Sequence, residues 1–184
     1  MNRPSLTAAL AVALGATLSV PALAEERNCR GEIGAISLDN VFVPDGATCV
    51  LTKTRLKGNI VVGTGSKLTA KSVSVNGNVQ AEEAQNVTIT GRSIIGGSVQ
   101  VVQGYEVKVT GAKVEGTILI DENTGPVVAS RNRVNGDVQL FQNSGGARLA
   151  DNIIKGNLQC KENTPPPTGQ GNRAASKEDQ CERL

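Results

Sequence analysis

The sequence has no histidine and no tryptophan, and its aromatic side chains amount to one tyrosine and two phenylalanines. Without histidine the commonest general base and the commonest metal ligand are both missing, so histidine-dependent catalysis and metal binding are not expected. So few large rings argue against a compact globule and for a narrow core of Val, Ile and Leu. An excess of one charge is lacking too. Nineteen Lys and Arg face 17 Asp and Glu, a formal charge of +2, with both signs spread along the chain. That distribution offers no footprint for nucleic acid or an anionic membrane.

A long apolar stretch occurs once, at the amino terminus. Arg3 gives a positive start, Leu6 to Val20 is apolar, and Ala22-Leu23-Ala24 has the small residues a signal peptidase accepts. The run is short for about 30 Å of hydrocarbon. Residues 1–24 therefore read as a signal peptide and 25–184 as the mature chain, with no transmembrane segment, in the periplasm or outside the cell.

What the sequence does have is a repeat. Gly58-Asn59-Ile60-Val61-Val62 is echoed from Gly77, Gly97, Gly116, Gly136 and Gly156, at intervals of 19, 20, 19, 20 and 20 residues. Asp39-Asn40-Val41-Phe42-Val43 is an earlier copy with Asp in place of Gly. Each repeat holds three short alternating runs, such as Val79-Gln80-Ala81, Val87-Thr88-Ile89 and Ile94-Ile95, which are strand signatures too short for helices. Strands this short are stable only when stacked in parallel ladders. The expected fold is an all-β, single-stranded parallel β-helix over 25–184, with 19 to 20 residues per turn and about seven turns. The preference for right-handed crossovers, and turns without a hexapeptide pattern, make a right-handed coil the expectation.

Two interior columns follow: Val41, Ile60, Val79, Val99, Ile118, Val138 and Leu158, and Val43, Val62, Ala81, Val101, Ile120, Leu140 and Cys160. The repeat glycine is placed at a corner, where a tight bend or a positive φ disfavours a Cβ. Pro165-Pro166-Pro167, in a Pro-rich capping segment over 161–184, belongs on an edge or in a loop across the open end.

Four cysteines in an exported chain suggest two disulfides, and the period chooses between pairings. Cys29 and Cys49 are 20 residues apart and Cys160 and Cys181 are 21 apart, one turn in each case. Residues one turn apart lie within the Cα separation a disulfide tolerates. Each bridge would fasten a terminal turn to its neighbour.

No catalytic, cofactor or metal site is read from the chain. Asp121, Asp137, Asp151 and Glu162 fall at different places in their turns, whereas polysaccharide lyases and hydrolases need acidic groups close together. The regular outward feature is Gln80, Gln100, Gln139 and Gln159, interrupted by Leu119. Stacked Gln amides bond along a ladder for structural reasons alone, and they also form a flat polar face that could take a glycan or an envelope protein.

The repeat phrase, the exported start and the closing Gly156-Asn157-Leu158-Gln159-Cys160 through Asp179-Gln180-Cys181 resemble a group of exported bacterial repeat proteins that lends no activity to carry over. The short Val-rich turns are also similar to those of bactofilins, cytoskeletal β-helices that polymerise end to end. A signal peptide, longer turns and bridged ends set this chain apart from them. The expected role is an exported, non-catalytic structural or binding protein of the envelope or matrix. A carbohydrate-active β-helix enzyme and a self-assembling polymer are the alternatives.

Overall fold

The computed structural model describes residues 25–184; the expected signal peptide, 1–24, lies outside the described residues. All regular elements among the described residues are β-strands, sorted into parallel sheets of nine, eight and seven strands. The chain visits the three sheets in order and then begins again one layer higher. One turn is Val79–Glu82, Asn86–Thr90 and Ile94–Ile95; the next is Val99–Val102, Glu106–Thr110 and Lys113–Val114. The fold is the expected parallel β-helix, a solenoid with a three-sided cross-section.

Both expected interior columns stack in register. Ile60 lies on Val41, Val79 on Ile60, Val99 on Val79 and Ile118 on Val99, and the column continues through Val138 to Leu158. These side chains are essentially inaccessible to solvent. The eight-stranded sheet adds the column Leu51, Ala70, Ile89, Val109, Ala129 and Leu149, and the seven-stranded sheet adds Leu56, Val75, Ile95, Val114, Val134 and Ile154. Alternation sends every second residue inward, and each buried Val, Leu or Ile is worth about 1.5 to 3 kcal/mol relative to exposure.

The turns number about eight, not seven. The extra layer comes from the ends. Glu26–Asn28 pairs with Asn40–Val43, and Gly31–Ile33 with Thr48–Thr52. At the other end Thr168–Gln170 joins Ala147–Ala150, and Lys177–Asp179 joins Leu158–Lys161. The Pro-rich segment is thus not only a cap, since it supplies two edge strands. An end strand has a neighbouring turn on one side only, so it needs no apolar alternation, and the repeat pattern fades where the fold continues. Pro165, Pro166 and Pro167 occupy the corner before Thr168–Gln170, where no ladder N–H is required.

The repeat glycines serve a different purpose from the one expected. Positive φ belongs to other corner residues, among them Lys53, Glu83, Gln103, Glu122, Arg131 and Gln142. Glycine is required at the repeat position by the turn beneath. A Cβ on Gly97 would lie 2.2 Å from Asn78 Oδ1, and one on Gly77 would lie 2.3 Å from Asn59 Oδ1. Those oxygens accept hydrogen bonds from the backbone N–H of Ser98 and of Asn78, each at 2.8 Å. The glycine makes room for a side chain that caps the next turn's backbone.

The other two corners carry buried asparagines in the later turns. Asn123, Asn143 and Asn163 form one ladder, and Asn132, Asn152 and Asn172 another. The two disulfides join Cys29 to Cys49 and Cys160 to Cys181, with Cα separations of 5.5 and 5.2 Å. One sits at each end of the solenoid.

Candidate functional site

The outer face of the nine-stranded sheet is built from the residues between its inward ones, so sheet register decides which side chains share a column. Gln80 lies on Gln100, Gln100 on Leu119, Leu119 on Gln139, and Gln139 on Gln159. The four expected glutamines therefore form one column with Leu119 in its middle. Gln80 Nε2 donates to Gln100 Oε1 at 3.3 Å, and Gln139 Nε2 donates to Gln159 Oε1 at 2.8 Å. The column ends on Glu178, whose Oε2 accepts from Gln159 Nε2 at 2.7 Å. Hydrogen bonds from Ser176 first and Gln159 second hold the Glu178 carboxyl below its ordinary pKa.

Beside it runs a second outward column of Glu82, Val102, Asp121, Phe141 and Lys161. Between the two columns lies an open groove of about 470 Å³ lined by Val61, Gln80, Glu82, Gln100, Val102 and Leu119, among others. A second, of about 380 Å³, lies further along the same face against Asp121, Phe141, Gln142, Lys161 and Glu162. Asp121 and Glu162, which stand at different places in their turns, are thus brought to one depression.

Asp121 Oδ1 is buried without a hydrogen-bond partner. Burial, with a smaller contribution from the neighbouring Glu122 charge, raises its carboxyl above the ordinary Asp range. Asp137 and Asp151 lie at the other corners. Among the described residues no three Asp, Glu or Cys side chains come together as metal ligands.

Sequence reasoning missed a third column on the corner next to this face, where Glu83, Gln103, Glu122, Gln142 and Glu162 all have positive φ. Gln103 Nε2 donates to Glu122 Oε2 at 2.8 Å, and Gln142 Nε2 donates to Glu162 Oε2 at 2.9 Å. The signal was present in the sequence as acids and amides alternating at 19- and 20-residue intervals.

No helix among the described residues is long and apolar enough to cross a membrane. In comparisons with family models, curated proteins and solved structures, the chain matched none. The fold is a parallel β-solenoid with a cystine at each end.

Proposed function

We propose that the chain is an exported, non-catalytic structural or binding protein of the cell envelope or matrix, related to exported bacterial repeat proteins, that offers its flat ladder faces to a glycan or an envelope protein. The observation that carries this reading is the glutamine column: amides at fixed register beside an open groove, with Leu119 as an apolar step between two bonded pairs. Terminal amide groups on such a column retain donors and acceptors for hydroxyls or peptide groups of a partner. Glycan-array binding and envelope cross-linking test it. Replacing Gln100 and Gln139 by Ala together should cut retention at least tenfold while leaving the melting temperature within a degree or two. Retention that the double variant leaves unchanged would overturn it.

The enzyme reading draws on Asp121. A carboxyl with a raised pKa beside Phe141 and Glu162 suits a proton donor to a glycosidic oxygen. It predicts turnover of a polysaccharide that Asp121→Asn abolishes. Bactofilin-like polymerisation is disfavoured by the ends. The edge strands Glu26–Asn28 and Lys177–Asp179 carry charge, as blunted edges do. Light scattering with and without reductant checks this, with monomers expected in both.

A further inference from the structure

The period that stacks the core also sorts the charges. On the outer face of the seven-stranded sheet Ile94 lies on Ser74, Lys113 on Ile94, Arg133 on Lys113, Ile153 on Arg133, and Arg173 beside Ile153. Arg92 and Arg131 stand at the adjoining corner, both with positive φ, and Lys155 stands on the opposite margin of the strand column. Five consecutive turns therefore each present at least one cation here. The alternating acids Glu83, Glu122 and Glu162 line a different corner. The formal charge of +2 conceals a cross-section with a basic side and an acidic ridge.

All of these cations but Lys113 are free to bind. Among the described residues the ion pairs are Lys57 with Asp39, Lys113 with Glu115, and Lys161 with Glu162. Arg92, Arg131, Arg133, Lys155 and Arg173 are exposed and form none. The anions on this side are Asp39 and Glu115, already paired with lysines, and, at the two flanking corners, Asp151 and Asp137, the latter accepting from the Asn157 N–H at 2.7 Å. Two shallow grooves, of about 420 and 250 Å³, run along the face and share Lys113 and Arg133. Ile94 and Ile153, 47% and 44% exposed, lie in the same column as the cations.

We infer that this face binds a linear acidic polysaccharide with one carboxylate per sugar, laid along the solenoid axis. Each turn supplies a cation and turns rise by about 4.8 Å, close to the length of one sugar ring, so successive sugars meet successive turns. An unpaired guanidinium presents a planar fork that takes a carboxylate with two hydrogen bonds. The exposed isoleucines supply apolar contact for the C–H faces of the rings. A single-stranded nucleic acid would want aromatic platforms for its bases, and this column has none. A lipid surface would want apolar residues that project, and both isoleucines lie within short, flat strands.

Calorimetric titration of the full chain with polygalacturonate oligomers tests the proposal, with dextran, single-stranded DNA and phosphatidylglycerol vesicles as parallel arms. Polygalacturonate should bind, dextran should not, and affinity should fall steeply with added salt. The double variant Arg131→Glu/Arg133→Glu should lose at least thirtyfold in affinity without a change in melting temperature. Glu83→Lys/Glu122→Lys, on the acidic corner, should not weaken binding. Should the charge reversals disturb folding, Arg133→Gln/Lys155→Gln reads the same face at lower cost, with a loss of at least fivefold. The Gln100→Ala/Gln139→Ala variant should keep its polygalacturonate affinity, which separates this face from the glutamine column. No binding at low salt, binding unaffected by the arginine changes, or tighter binding of vesicles or DNA would each overturn the proposal.

Discussion

The corners of the solenoid before Asn123 and those after it are built from different chemistry. In the earlier turns one corner holds Ala47, Ser66, Ala84 and Gly104, and the next holds Thr54, Val73, Ser93 and Ala112. Ser66 Oγ donates only within its own turn, to the Gly63 carbonyl at 2.5 Å, while Ser93 Oγ donates to the Thr90 carbonyl at 2.6 Å and accepts from the Val73 N–H one turn away at 3.2 Å, and Thr54 Oγ1 donates to the Gly34 carbonyl at 2.8 Å. In the later turns asparagine stands at both corners, and each amide serves two layers. Asn143 Oδ1 accepts from the backbone and the amide of Asn123, at 3.0 and 3.1 Å, while its own Nδ2 donates to Ile120 O and Asn163 Oδ1. Turn length follows the same division. The glycines from Gly58 to Gly116 are spaced by 19, 20 and 19 residues, and those from Gly116 to Gly156 by 20 and 20. The earlier corners hold single hydroxyl bonds between layers and no continuous side-chain ladder, so a turn there can gain or lose one residue. An amide ladder works only if every asparagine sits over the next, which fixes the turn.

The ladder should therefore be the more fragile of the two under substitution. Asn143→Leu leaves the Asn123 N–H without its acceptor and the Ile120 carbonyl without its amide donor, both in the interior. At about 1 to 3 kcal/mol per unpaired group, the loss is on the order of 4 kcal/mol, read by chemical denaturation. Ser66→Ala in the earlier half removes one local bond and should cost about 1 kcal/mol. Equal costs would erase the distinction between the halves.

The ends sharpen the contrast. At the later end the ladder is closed by Gln180, whose Oε1 accepts from the Asn163 backbone at 2.9 Å and whose Nε2 donates to the Asn163 carbonyl at 2.9 Å. The earlier end relies on its cystine. The bridged residues are 20 and 21 apart, so chain entropy alone gives both bridges about the same worth, roughly 3 kcal/mol. Cys29→Ala/Cys49→Ala should cost that full amount and expose the amides of Gly31–Ile33 first in hydrogen exchange. Cys160→Ala/Cys181→Ala should cost less, because Gln180 still holds the last turn.

What could be read in the sequence was whatever repeats with an apolar period. Val79, Val99 and Ile118 announce their column because alternate residues must be buried in every inner turn, and the cysteines announce their pairing because each pair spans one turn. The 20-residue spacing of Asn132, Asn152 and Asn172 is visible in the sequence, but the burial of the ladders is not, since a polar residue at a corner looks like any loop residue. Yet Glu122-Asn123-Thr124-Gly125-Pro126, Gln142-Asn143-Ser144-Gly145-Gly146 and Glu162-Asn163-Thr164-Pro165-Pro166 recur at intervals of 20. Treating the polar positions with the same period would have found this ladder. The reason for Gly97 stayed hidden for another cause: the atom it avoids, Asn78 Oδ1, belongs to the turn below. The basic side was hidden because Arg92, Lys113 and Arg133 are distant in a linear count and adjacent only after winding.

If the halves differ only in corner chemistry, the ladder can be extended. Ala112 already donates its backbone N–H to Asn132 Oδ1 at 3.0 Å, as each ladder asparagine does to the next. Ala112→Asn would place one more amide under Asn132. A gain of up to about 1 kcal/mol is expected, seen as a higher denaturation midpoint with an unchanged slope. A loss would show that the earlier turns cannot accept the stricter spacing.

The smallest effect concerns the one buried side-chain atom without a partner among the described residues, Asp121 Oδ1, two positions before the first ladder asparagine. Burial lifts the Asp121 carboxyl above its ordinary pKa, so the folded chain holds that proton more tightly than the unfolded chain does. The contribution to stability is then fully present below the unfolded pKa and is lost as pH rises through the folded one. At neutral pH the ionised carboxylate weakens the fold, only slightly, because solvent screens a group this open. Asp121→Asn, neutral throughout, should raise the melting temperature by a degree or so at pH 7. The advantage should shrink as pH falls through the carboxylate range, since the wild-type side chain becomes neutral as well. A gain that stayed the same at about pH 3 would assign it to the amide's new hydrogen bonds and not to removal of the charge.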